Sequence, residues 1–291
     1  MTKELAGVLV ALCTPFDESG ENVDETTMLD HIDTMIEAGV HGIVLCAGTG
    51  EFAYLREHEK RRIIEVCTRH INDRVSVVVQ TSAIGTGETI ERSKHAEGVG
   101  IDALMILPPY FEGPGEAGVM HHFERIAGAV NTPIVLYNIP QHSGFDVTPA
   151  LFSRLLEFDN IEYIKDSKGD MIGLQELVAT GGKVLSGADP LAPYALMAGC
   201  VGWIWGAANV MPRETVALYD LLTSGRHDEA LALWAKMAPA NIRFWAGVYN
   251  LEIKAAANLR GYALGPLREP GMPPTKDEIA ALTKVLEPLG A

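Results

Sequence analysis

The chain has 291 residues, an apolar fraction of 47% and a formal net charge of −15, enough to bury a large core in one big domain or two ordinary ones. So negative a chain argues against a phosphate-backbone binder, which needs a basic face. A single local site can still oppose that field and hold a small anion.

The opening stretch "MTKELAGVLVALCTPF" carries a short apolar run that Pro15 ends, with no small-residue cleavage site after it. It reads as a first strand, not a signal peptide. No run approaches the roughly 18 apolar residues of a membrane span. Cys13, Cys46, Cys67 and Cys200 are scattered, the pattern of reduced thiols in a cytoplasmic protein rather than of a disulfide frame or a zinc site.

Eight apolar runs then follow in order: 7–13, 41–47, 75–81, 102–108, 133–138, 161–166, 183–187 and 201–207. Most lack polar alternation, as strands buried on both faces do. Amphipathic stretches at 24–38, 57–70 and 115–130 lie between them, and several open with a cap-and-acid signal such as "VDETTML". Eight strand–helix units predict an α/β fold, a (β/α)8 TIM barrel. A doubly wound sheet is the rival, but "CTPFDESG" after the first strand is no Gly-rich nucleotide loop. Residues 1–223 are read as the catalytic barrel. Residues 224–291 are read as a C-terminal helical extension, with helices at 226–246, 248–260 and 275–289 and a rigid connector, "GPLREPGMPP", at 265–274.

Barrel enzymes carry their chemistry at the C-terminal ends of the strands. Of ten lysines, only Lys165 stands at such an end, closing "IEYIK". A desolvated amine there attacks a carbonyl to form an iminium; the plainer alternatives are a lysine snorkelling to the rim or paired with Asp166. "AGTGE" (47–51) follows the second strand and is expected to open a helix, its Thr49 and Gly50 amides facing a carboxylate. Taken by itself, the segment is explained more simply as a tight turn with Glu51 as a cap. Tyr137 ends the fifth strand, placed to move protons or simply to fill the barrel. The nine histidines form no metal motif; His121 and His122 read as a solvated pair on an outer helix. No metal and no cofactor are expected. Trp203 and Trp205 read as core, with Trp205 a candidate for the barrel mouth.

Taken together, "GTGE", "YNIP-x-x-SG" (137–144), "IKDS-x-GD" (164–170) and the glycine-spaced run to Asn209 resemble the dihydrodipicolinate synthase / N-acetylneuraminate lyase family. The resemblance covers nearly the whole chain. It implies that Lys165 forms a Schiff base with a 2-oxo acid, that Tyr137 shuttles protons, and that Thr49 and Gly50 bind the carboxylate. It also implies a homotetramer, a dimer of dimers, with a pyruvate-like small molecule as its partner and neither nucleic acid nor membrane. Three departures bear on the substrate. Gly48 stands where the synthase has a hydroxyl residue, Phe111 where it has a tyrosine, and His142 where it has an arginine. Ser167 and Asp189 match positions that sugar-acid lyases turn toward substrate hydroxyls, though both suit helix caps too. Tyr110, Gly187 and Ile204 complete the expected substrate-binding set.

The leading expectation is therefore a Schiff-base lyase for a hydroxylated 2-oxo acid, acting by retro-aldol cleavage, dehydration or deamination. Dihydrodipicolinate synthase itself, condensing pyruvate with aspartate semialdehyde, is the alternative. A non-catalytic 2-oxo acid sensor is the third.

Overall fold

The apolar runs become β1 (Gly7–Ala11), β2 (Gly42–Leu45), β3 (Ser76–Gln80), β4 (Ala103–Ile106), β5 (Ile134–Asn138), β6 (Ile161–Asp166), β7 (Lys183–Ser186) and β8 (Gly202–Trp205). The computed structural model describes residues 3–290. All eight strands pair in parallel with their sequence neighbours, and β1 closes on β8. The sheet is a closed (β/α)8 barrel, not a doubly wound sheet.

The continuous apolar character of the strands follows from burial on both faces. Along β1, Leu9 and Ala11 face the barrel interior with Val44, Val78, Met105, Val135 and Leu185. Val8 and Val10 face outward and pack under the helices with Ile43, Ile63 and Phe123. The inner layer thus fills the barrel, as the fold requires.

Several strands stop short of the apolar run that predicts them. The run 7–13 yields a strand of five residues, because its last residues bend out to build the mouth. There the backbone turns to side chains. Cys13 N donates to Asn209 Oδ1 at 3.0 Å, and Asn209 Nδ2 donates to Ala11 O and Gly206 O. Asn209, last residue of the glycine-spaced run, staples the end of β8 to that of β1.

The helices begin where their caps predict. Asp24 accepts from Thr27 N at 3.0 Å ahead of the helix Glu25–Glu37, and Thr275 with Glu278 forms a two-way capping box ahead of Lys276–Leu286. After Thr223 come the helices His227–Ala246, Tyr249–Leu259 and Lys276–Leu286. The first packs on the turn Asp189–Leu191 and the second on the turn Ala207–Asn209, so the extension lies across the β7–β8 side of the mouth. The 265–274 connector is held by Arg268, which donates twice to Glu59, at 2.6 and 2.9 Å.

Two readings of the outer surface change. His122 is buried, not solvated: it faces inward and accepts or donates at Thr86 Oγ1, 2.9 Å away. Burial pulls its imidazole down to about 4. His121 alone is exposed. Trp203 and Trp205 pack against each other on the outer side of β8, with ring centroids 5.2 Å apart, so Trp205 does not line the mouth. The four cysteines are buried and unbridged. Among the described residues, no helix is long and apolar enough to cross a membrane.

Candidate active site

An open cavity of about 1210 Å³ occupies the C-terminal mouth of the barrel. A much smaller one, about 200 Å³, opens at the other end beside Lys3, Tyr163 and Lys183, where barrel enzymes keep no chemistry.

Lys165 rises from β6 into the floor of the mouth. Strand alternation places Tyr163 and Lys165 inside, Ile164 and Asp166 outside. Lys165 is in register with Tyr137 on one side and Leu185 on the other. Its Nζ lies 4.2 Å from the centroid of the Tyr137 ring, and the residue is only 5% exposed. Asp166 does not pair with it. Turned to the other face, Asp166 accepts from Asn138 Nδ2 at 2.8 Å; burial pushes its carboxyl up to about 6, against that hydrogen bond. Asn138 also accepts from Val147 N at 2.9 Å. Asn138 and Asp166 therefore lock β5 to β6 one residue beyond Tyr137 and Lys165, fixing phenol and amine side by side. Sequence reasoning missed this positioning pair, although "YN" and "KD" stood in view.

The Gly48–Glu51 segment does not open a helix. The next helix, Glu57–Ile71, begins six residues later, and the segment is a succession of tight turns. Glu51 N donates to Gly48 O at 2.9 Å, and Glu51 sits at φ +58°, a left-handed conformation that costs a non-glycine residue. The amides of Thr49 and Gly50 donate to no backbone carbonyl among the described residues. Turn geometry, not a helix terminus, leaves these N–H groups unpaired. A β-carbon on Gly48 would lie 4.0 Å from the Tyr137 hydroxyl, so this turn borders the phenol. Gly50, unlike Gly48 and Thr49, does not line the cavity; a β-carbon there would fall 2.9 Å from Leu12 O and 3.3 Å from Thr14 Oγ1.

Other expected residues divide. Gly48, Thr49, Tyr110, His142, Ser167, Gly187 and Ile204 line the cavity with Tyr137 and Lys165. Gly187 is tied to its neighbours, since a β-carbon there would fall 2.1 Å from Ser167 Oγ and 2.5 Å from Lys165 Cε. Ser167 Oγ is buried and has no hydrogen-bond partner, a free polar group beside the amine. His142 is exposed in the one-turn helix Pro140–Ser143 after β5, where Gln141 Nε2 donates to Ser167 O at 2.7 Å. Phe111 is 66% exposed at the rim.

Asp189 does not reach the wall. It is 1% exposed, and Tyr249 of the extension stands over it, donating from Oη to Asp189 Oδ2 at 2.6 Å. Burial pushes the carboxyl up to about 7, opposed by the Tyr249 hydrogen bond and the Lys165 charge. Tyr249, Asn250 and Trp245 line the cavity, and the sequence pattern of a helical extension gave no sign that they would.

The comparisons bear on this geometry. The dihydrodipicolinate synthetase family matches residues 4–289. The chain is 33% identical to a 4-hydroxy-tetrahydrodipicolinate synthase of Methanopyrus kandleri, over 99% of this chain and 97% of that one. It superposes on a crystal structure of dihydrodipicolinate synthase with a TM-score of 0.94 at 32% identity, covering 98% of this chain and 99% of that one. It also superposes on YagE, a prophage protein of E. coli K12 belonging to the dihydrodipicolinic acid synthase family and solved with pyruvate. There the TM-score is 0.93 at 29% identity, with 98% of each chain covered. Relatives named as the synthase favour the alternative over the sugar-acid expectation. With a match running from Glu4 to Leu289 and a buried lysine at the end of β6 in the mouth of a closed barrel, the chain belongs to the dihydrodipicolinate synthetase family and is a class I, lysine Schiff-base lyase of the aldolase type.

Proposed function

We propose that Lys165 Nζ attacks the keto carbon of pyruvate and that Tyr137 carries protons to and from the carbinolamine. Loss of water gives the iminium, loss of a methyl proton gives the enamine, and the enamine carbon bonds an aldehyde; hydrolysis then frees Lys165. The observation that carries this reading is the buried Lys165 amine, 4.2 Å from the Tyr137 ring centroid and in strand register with it. The free amides of Thr49 and Gly50 would take the pyruvate carboxylate, two neutral donors matched to one anion. Retention of a site built for a covalent amine speaks against a sensor.

For the aldehyde, the names of the relatives support aspartate semialdehyde, making the chain a 4-hydroxy-tetrahydrodipicolinate synthase. One observation supports the hydroxylated 2-oxo acid instead. Among the described residues, Arg268 is the only arginine lining the cavity, and Glu59 already holds it, while the 142 position offers an imidazole. A second carboxylate thus meets no unpaired guanidinium. Initial rates with pyruvate plus aspartate semialdehyde, against pyruvate plus glyceraldehyde, separate the two. The synthase reading expects the first to exceed the second by at least about 10²-fold; equal rates, or the reverse order, overturn it.

We also propose a homotetramer. Phe111, Ile172 and Met197, at 66%, 71% and 62% exposure, are large apolar side chains of the kind that subunit contacts cover. Light scattering should give about four times the 31.4 kDa chain mass; a monomer at micromolar concentration would defeat this.

A further inference from the structure

Gly206, just past β8, has φ −76°, a conformation open to any residue, so its backbone does not explain the glycine. Space does. A β-carbon there would fall 2.3 Å from the Tyr249 hydroxyl and 2.9 Å from two of its ring carbons. The missing side chain makes room for a phenol delivered by the C-terminal extension. That ring lines the same cavity as Lys165, Ser167, Gly187 and Ile204.

The phenol is oriented as well as accommodated. Its single O–H is committed to the buried carboxyl of Asp189, donating to Oδ2 at 2.6 Å. A tyrosine whose proton is engaged keeps only its oxygen lone pairs, so to any further group it accepts and cannot donate. Asp189 lies behind it, with Oδ1 unpartnered.

We propose that Tyr249 sets which substrate tails the site accepts: its oxygen, turned by Asp189, takes a hydrogen bond from a hydroxyl or ammonium on the substrate chain beyond the carbon bound to Lys165. Tails bearing such a donor are favoured, and tails presenting only acceptors or hydrocarbon leave the phenol oxygen unmatched. Asp189 is then a positioning residue that acts through Tyr249, not a contact to substrate. The inference rests on the Lys165 reading above and adds what lies beyond the iminium. It holds for the ammonium of aspartate semialdehyde and for a sugar hydroxyl alike.

The test needs no turnover. Iminium formation is trapped with borohydride at graded concentrations of pyruvate, 2-oxopentanoate and 4-hydroxy-2-oxopentanoate, and read by intact mass, with intact and cleaved adducts summed. The native protein should half-saturate with the hydroxylated acid at about tenfold lower concentration than with the plain five-carbon acid. Tyr249→Phe, which keeps the ring, should erase that ratio and leave pyruvate within about twofold. Asp189→Asn should also shrink the ratio, because its amide can donate to the phenol and occupy the lone pairs. A purely structural role for either residue would shift all three acids together. Equal trapping of the two five-carbon acids by the native protein overturns the proposal, as does a Tyr249→Phe shift as large for pyruvate as for the hydroxylated acid. No adduct with any acid on the native protein overturns the Lys165 reading itself, and the inference with it.

Discussion

Lys165→Ala is expected to abolish the borohydride-trapped pyruvate adduct and to lower turnover by at least about 10³-fold, roughly 4 kcal/mol of transition-state stabilisation. The size follows from the chemistry: no other residue at the floor of the cavity offers an amine. Lys168, in the loop after β6, also lines the cavity but is held by Asp146 at 2.8 Å, and Lys254 is held by Glu51. Lys165 has no such partner, since Asp166, its neighbour in the chain, faces the other side of the strand and bonds Asn138. A buried amine without a hydrogen-bond partner costs stability, so Lys165→Met, which keeps the bulk and removes the polar group, should raise Tm by about 2–4 °C while eliminating the adduct. Opposed changes in stability and activity mark a residue kept for chemistry. An adduct of unchanged yield on either variant, or a Tm loss with both, would sink the assignment.

How much of this was open to sequence reading depends on how local each feature is. The strands were legible because burial on both faces writes itself as an unbroken apolar run, and β6 matches its predicted span at both ends. Lys165, Tyr137 and the Gly48–Glu51 turn were legible because a barrel puts its chemistry at strand ends, and strand ends can be counted along a chain. What stayed hidden depends on pairs far apart in sequence. A helical periodicity for residues 248–260 says which face of a helix is apolar. It does not say that the first residue of that helix will meet Asp189, 60 positions back. The same gap explains His122. Its neighbour His121 is exposed, and only the packing of this helix against Thr86 decides which of the two turns inward. The helix expected at "AGTGE" failed for a related reason: the segment takes its shape from groups in the C-terminal extension, not from its own cap.

Those groups supply the second large effect. Lys254 donates to Glu51 Oε1 at 2.8 Å, with the two side chains 3% and 2% exposed, and also to Pro266 O at 2.7 Å. Arg268 N donates to Glu51 Oε2 at 3.0 Å, and Asn250 Nδ2 donates to Gly48 O at 2.9 Å. Burial pulls the Lys254 amine below its usual value, and the Glu51 carboxylate opposes that pull. Removing one member leaves the other charge buried and uncompensated, so Lys254→Met is expected to destabilise the fold by about 3–5 kcal/mol. The double change Glu51→Gln with Lys254→Met should recover much of that loss, because the orphaned charge is gone. Denaturant unfolding of the two single variants and the double gives the coupling directly; additive losses would mean that the pair is not coupled. Function separates from stability here. Glu51 holds its left-handed φ of +58° with both carboxylate oxygens bonded to the extension, and the adjacent Thr49 and Gly50 amides take their direction from that turn. The double variant, though refolded to near-native stability, should therefore still half-saturate with pyruvate at about tenfold higher concentration. A double variant that regains both stability and pyruvate affinity would show the ion pair to be structural alone. One that regains only stability makes the extension part of the carboxylate cradle, set by residues some two hundred positions from the turn they hold.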